Sequence, residues 1–139
     1  MSKCSGEMAC SDTYIKNPNV QCKLISNALK TLWKVDISNY PIDQRLSFKL
    51  AQIEYDLSHV NIDISNTDPS TFNENNFKNP SHLLQWLHEN KPKENDLVFS
   101  HGDFCPENIF GVGEKVTGFI DLGRSGIADK WMDISLCYR

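Results

Sequence analysis

The sequence predicts an α+β fold, mainly helical, with a small β-hairpin near its C-terminal end that carries the candidate active site. Three observations lead there. Apolar residues recur at helical spacing in three separate upstream stretches. Two short β-rich runs, residues 109–112 and 116–120, flank the turn sequence Gly113-Glu114-Lys115. A chain of 139 residues with 40% hydrophobic content can bury one core, so a single domain over 1–139 is expected.

The first helix is expected from about Pro18-Asn19 to about Asp36. Leu24, Ala28, Leu32 and Val35 fall on one face, with Ile25 and Leu29 beside them and Trp33 next to the stripe. A second helix is expected from about Asp43 to Ser58, with Leu46, Leu50, Ile53 and Leu57 on one face. Pro41 precedes it, and Asp43 is the expected N-cap. A third begins at Asn79-Pro80, a capping residue followed by the residue favoured at the first helical position. It carries Leu83, Leu84 and Leu87 and ends before Pro92. All three stripes read as core. Residues 61–79 between the second and third helices form a long loop rich in Asn, Ser, Asp and Thr. Leu97-Val98-Phe99 has strand character and delivers His101 and Asp103 to a loop. The hairpin then brings Asn108, just before its first strand, near Asp121, just after its second.

Asp103, Asn108 five residues later and Asp121 thirteen beyond that have the spacing with which kinase-type phosphotransferases place a catalytic base and two Mg²⁺ ligands. Phosphoryl transfer asks the protein mainly for positioning and for neutralisation of phosphate charge. One carboxylate must meet the acceptor hydroxyl and take its proton, and Asp103 is the candidate. Hard oxygen ligands must hold the metal: Asp121 offers a charged oxygen and Asn108 a neutral one. A third carboxylate would over-charge such a site. Any one loop Asp or Asn is more often a cap or turn residue; the joint pattern is far more specific. His101 reads as a brace for the loop, because the four histidines lack ligand spacing. Cys105 in the same loop reads as a bystander.

Residues 97–139, LVFSHGDFCPENIFGVGEKVTGFIDLGRSGIADKWMDISLCYR, closely resemble the bacterial aminoglycoside 3′-phosphotransferases. The run GFIDLGRSGIADKWMDI is distinctive of that group. The likeness continues more weakly through Val35-Asp36-Ile37-Ser38, Arg45-Leu46 and Phe77-Lys78-Asn79-Pro80, and so covers nearly the whole chain. The resemblance implies the C-terminal lobe of a protein-kinase-like fold. It implies Asp103 as catalytic base, Asn108 and Asp121 as Mg²⁺ ligands, and Arg124 as an arginine near the active site. ATP or GTP would be the phosphoryl donor and an aminoglycoside antibiotic the acceptor. Pro106 and Glu107 stand where some relatives carry an aspartate and a serine. An acidic segment corresponding to the polar loop touches the antibiotic in the family, which makes Asp63, Asp68 and Glu74 substrate-side candidates.

The family also has an N-terminal lobe with a nucleotide-covering loop and a strand lysine, and later helices whose carboxylates bind the antibiotic's amines. No Gly-rich loop or V-A-I-K-type lysine stands near the start of this sequence, and Met1-Ser2 resembles the hinge between the lobes. The chain is therefore expected to be a partial phosphotransferase: hinge, helical insert, catalytic loop and metal hairpin. A missing N-terminal lobe becomes an expected partner. Leu32, Leu50 and Trp131 are expected to present the apolar surface that absent segments would cover.

The formal net charge of −4 and pI near 5.5 argue against nucleic acid and suit a polycationic substrate. No run approaches a membrane span, and no apolar signal region follows Met1-Ser2-Lys3. Five cysteines without Cys-x-x-Cys spacing fit a reduced, cytoplasmic protein. Two alternatives stand beside the partial enzyme. One is a non-catalytic remnant or half of a split protein. The other is a different kinase-like small-molecule phosphotransferase, which shares the His-Gly-Asp and the later Asp but not the segment after Asp121.

Overall fold

A computed structural model describes residues 3–59 and 77–138. The chain divides into two compact units, residues 1–44 with 95–139, and residues 45–94. Met1-Ser2 and the loop candidates Asp63, Asp68 and Glu74 lie outside the described residues.

The first unit is built around two small antiparallel sheets. A short strand β1 (Glu7–Met8) leads into a one-turn helix α1 (Asp12–Ile15) and then α2 (Pro18–Leu32). Pro18 sits at the start of α2, where a missing N–H removes no helical bond. Leu24, Ala28 and Leu32 are buried on one face, as the stripe predicts. The helix ends sooner than expected, with Trp33 as C-cap, so Val35 falls beyond it and is 43% exposed. The predicted strand is β2 (Leu97–Ser100). The hairpin is β3 (Ile109–Val112) and β4 (Lys115–Phe119), with Val112 opposite Lys115 across a two-residue turn, so Lys115 belongs to the strand rather than the turn. The sheet order is β1-β3-β4. A further strand, β5 (Gly126–Asp129), pairs with β2 along its whole length, and α5 (Trp131–Cys137) follows it.

Between α2 and the two sheets lies one apolar cluster, with Leu24, Ala28, Phe99, Phe104 and Ile109 at its centre. Burying one leucine such as Leu24 completely is worth about 1.5–3 kcal/mol. The hairpin turn is tied to the helices. Tyr14 Oη donates to the Gly113 carbonyl at 2.8 Å and Asn27 Nδ2 to the Glu114 carbonyl at 3.0 Å, while Lys23 pairs with the Glu114 carboxylate at 2.8 Å.

In the second unit, α3 (Leu46–His59) packs against α4 (Pro80–Asn90). Asn79 caps α4 as its sequence predicts, its Oδ1 accepting from His82 N at 2.9 Å. Asp43 is not the N-cap of α3. The helix begins three residues later, and the Glu94 carboxylate accepts from its first N–H groups, Leu46 N at 2.6 Å and Ser47 N at 3.3 Å. Asp43 lies in a bridge to Ile127 instead. Leu50 and Leu32, expected on an uncovered face, are 2% and 4% exposed, whereas Trp131 is 63% exposed. No described helix is long and apolar enough to cross a membrane.

Candidate active site

The five residues singled out in the sequence all stand in the first unit, at the open end of the hairpin and on the loops that meet it. β2 runs into the His101-Gly102-Asp103 loop. A short 3-10 turn, Pro106–Asn108, then leads into β3. Asn108 is 8% exposed, and its Nδ2 donates to the Asp103 backbone carbonyl at 3.0 Å. The nitrogen is thereby committed to the loop, and Oδ1, diverging from the same carbon, is the oxygen left for a ligand. On the other strand, Ile120 N donates to the Asn108 carbonyl at 3.1 Å, which sets Asp121 immediately beside this junction.

Asp121 adopts φ 57° and ψ 50°, a left-handed conformation in which it is the only non-glycine residue among those described. Asp tolerates that region better than most side chains, yet it still costs free energy, and such outliers gather where geometry matters. The residue turns the chain sharply out of β4 into a second 3-10 turn, Leu122–Arg124, with its own side chain exposed. Arg124 is exposed too. Its backbone carbonyl packs against Gly102, which has φ +80°, so closely that a Cβ at residue 102 would lie 2.0 Å from that oxygen. Glycine is what lets these two segments touch.

His101 is fully buried. Its ring lies against Phe104 and Phe119, with centroids 6.2 and 6.0 Å away. Because a carbonyl can only accept, Nε2 carries the proton and donates to the Ile120 carbonyl at 2.9 Å. Nδ1 has no partner among the described residues. The histidine thus braces the residue next to Asp121.

One functional residue escaped notice in the sequence. Asp133, in the first turn of α5, is fully buried. Its Oδ1 accepts from Ser100 Oγ at 2.8 Å and Gly102 N at 3.2 Å, and its Oδ2 accepts from His101 N at 3.1 Å. Gly102 N also lies 3.1 Å from Ser100 Oγ. A single carboxylate therefore holds the loop that delivers Asp103. The one available signal was an acidic residue between apolar neighbours, Met132 and Ile134.

The donor set suits a hard cation. Asn108 Oδ1 and the Asp121 carboxylate are oxygen ligands carrying one charge between them, the small protein contribution that Mg²⁺ takes when phosphate oxygens complete its shell. Among the described residues there is no group of three or more His, Cys, Asp or Glu side chains placed to hold a metal unaided. Burial, with Glu107 alongside, pushes the Cys105 thiol up from its ordinary value, which keeps it protonated and fits a bystander.

The family model described as "Phosphotransferase enzyme family" matches residues 28–139. An aminoglycoside 3′-phosphotransferase from Enterococcus faecalis is 41% identical over all of this chain and 52% of its own length. One from Staphylococcus aureus is 40% identical with the same coverage. The chain thus spans about half the length of the curated relatives it matches. Among solved structures, an aminoglycoside-3′-phosphotransferase of type VIII superposes with a TM-score of 0.74 at 26% identity, over 99% of this chain and 50% of that one. The Streptomyces rimosus aminoglycoside phosphotransferase APH(3″)-Id, solved with ADP and streptomycin, shares the fold, with a TM-score of 0.68 at 24% identity over 96% of this chain and 51% of that one. The chain belongs to the phosphotransferase enzyme family, alongside the aminoglycoside 3′-phosphotransferases that it resembles.

Proposed function

We propose that these residues supply the catalytic loop and metal hairpin of an aminoglycoside O-phosphotransferase, a cytoplasmic enzyme that moves the γ-phosphoryl group of ATP or GTP to an antibiotic hydroxyl. The observation that carries the reading is the junction at Asn108. Its side chain bonds the Asp103 backbone, and its carbonyl accepts from the residue before Asp121. Base and both ligand candidates are thereby tied into one hydrogen-bonded unit.

In this reading the Asp103 carboxylate orients the acceptor hydroxyl and takes its proton as the oxygen–phosphorus bond forms and the nucleoside diphosphate leaves. Asn108 Oδ1 and the Asp121 carboxylate would hold Mg²⁺. When bound, the ion neutralises charge on the phosphates. Asp133 and His101 keep the two loops in register, and Arg124 adds positive charge beside the same site. The relatives' names and the bound ligands of the Streptomyces rimosus structure support an aminoglycoside and a nucleotide as partners.

The direct test uses Mn²⁺, which broadens NMR signals from nuclei near its binding site. With nucleotide present, MnCl₂ added to the ¹⁵N-labelled chain should first broaden the amides of Asn108 and residues 120–122, and Asp121→Ala should remove the effect. Broadening confined to other surfaces, or unaltered by Asp121→Ala, would overturn the metal assignment.

A further inference from the structure

A concave feature lies at the closed end of the same hairpin. A cavity of about 270 Å³ is lined by Glu7, Thr13, Tyr14, Asn17, Val20 and Val112, with backbone from Gly6, Gly111 and Gly113. It includes none of His101, Asp103, Asn108, Asp121 or Arg124, and every residue lining it belongs to the first unit. Its size is near the low end of small-molecule sites, about 300 Å³.

The walls combine apolar surface with a single charge, and the Asn17 amide is turned back onto the Thr13 carbonyl at 2.8 Å. Val20, Val112 and the Tyr14 ring are apolar, and Val112 is 60% exposed, a large fraction for a β-branched apolar residue. Tyr14 Oη is already engaged with the Gly113 carbonyl. Glu7 is the sole charged residue in the lining. Its carboxylate accepts from Ser11 Oγ at 2.8 Å, and hydrogen bonds from Thr13 and Ser11 hold it below the usual carboxylate range, so it is ionised and oriented at neutral pH. No lysine or arginine lines the cavity, and nearby Lys16 pairs with Asp12 at 3.4 Å and Lys23 with Glu114 at 2.8 Å. Gly6, at φ +87°, completes the rim. A Cβ there would lie 2.2 Å from the Gly111 carbonyl oxygen, so this edge is backbone alone.

An apolar slot with one fixed negative charge and no positive one selects a cation that carries its own hydrophobic body. We propose that this cavity binds a small organic ammonium ion, its charge on the Glu7 carboxylate and its apolar body between Val20, Val112 and the Tyr14 ring. The bound ion would lie against Gly111 and Gly113, on the hairpin whose far end carries Asn108 and Asp121.

Benzylamine is the probe and benzyl alcohol its uncharged counterpart, each titrated into the ¹⁵N-labelled full chain and followed by amide shifts. Benzylamine should move the Gly6, Gly111 and Gly113 signals in a saturable way. Benzyl alcohol should bind the same place about fivefold more weakly, the weight of one exposed ion pair. Glu7→Gln should bring the two affinities together, and Val112→Lys, which puts a tethered ammonium at the mouth, should block both probes. Equal affinities in the unaltered chain, or shifts that spare the three glycines, would overturn the proposal. The comparison of amine with alcohol stands even if a variant folds poorly. Neither outcome touches the Mn²⁺ result, so this site and the phosphotransferase reading stand or fall separately.

Discussion

The Asp133 carboxylate and the His101 backbone N–H, 32 residues apart in sequence, are hydrogen-bonded at 3.1 Å in complete burial. Through that contact, and those to Ser100 and Gly102, α5 fixes the loop that presents Asp103. Removing the carboxylate strands three donors in an apolar setting. Asp133→Ala is expected to destabilise the first unit by about 3–5 kcal/mol, whereas Ser100→Ala removes one neutral donor and should cost about 1 kcal/mol. Urea unfolding of each variant and of the double variant reads the coupling directly; additive losses would mean the two side chains act independently.

The contact between Gly102 and the Arg124 carbonyl makes a separate test. Alanine at 102 meets both a positive φ and an oxygen 2.0 Å from the new Cβ. Gly102→Ala is expected to lower stability by at least about 1–3 kcal/mol and to shift the amide signals of Leu122–Arg124. A variant as stable as its parent, with an unmoved spectrum, would show that the two loops are not in the described contact.

Asp129 gives a pH dependence. Burial alone would raise its carboxyl, but the Trp131, Asp96 and Asn95 N–H groups and the Lys130 charge outweigh that and hold it below its ordinary value. A carboxyl depressed in the folded state contributes stability above its unfolded value and loses it as the pH falls through the folded one. Stability should therefore decline as the pH drops below about 4, and Asp129→Asn should flatten part of that decline. Thermal unfolding at pH 3 and pH 7 measures it; identical acid sensitivity in the variant would remove Asp129 from the account.

Turnover separates base from ligand. In a complete enzyme carrying these residues, Asp103→Asn should lower kcat by roughly 10²–10⁴-fold with nucleotide affinity retained. Asp121→Ala should instead weaken Mg²⁺-dependent nucleotide binding. The 139 residues alone are expected to give no phosphorylated kanamycin by mass spectrometry, since positioning of the reactants is worth roughly 7–11 kcal/mol and this sequence has neither a V-A-I-K-type lysine nor a Gly-rich loop near its start. Transfer by the isolated chain, abolished by Asp103→Asn, would refute that expectation.

Features governed by local rules were readable in the sequence. The stripe of Leu24, Ala28 and Leu32 follows helical period, Asn79-Pro80 announces its own helix, and the hairpin declares itself by β-rich runs about a turn. What could not be read depends on partners distant in sequence. β1 is two residues long and exists only because β3 lies beside it. β5 begins at a glycine, and its strand character comes from pairing with β2. Asp43 looks like a cap, but Glu94 supplies that carboxylate across 48 residues. In the site, Asp103, Asn108 and Asp121 stood out by spacing, while Asp133 did not, because its role lies in burial and in backbone donors that no motif records.

The left-handed backbone at Asp121 restricts what mutation can do there. Glycine and asparagine are the substitutes that accept φ 57° with little strain, and each surrenders the carboxylate. Glutamate would keep the charge but loses the short side chain suited to this conformation, and β-branched residues fit worst. Any lineage that retains this turn and the proposed metal site therefore has one residue that satisfies both, which makes position 121 a sensitive place to read whether selection on that site has been relaxed.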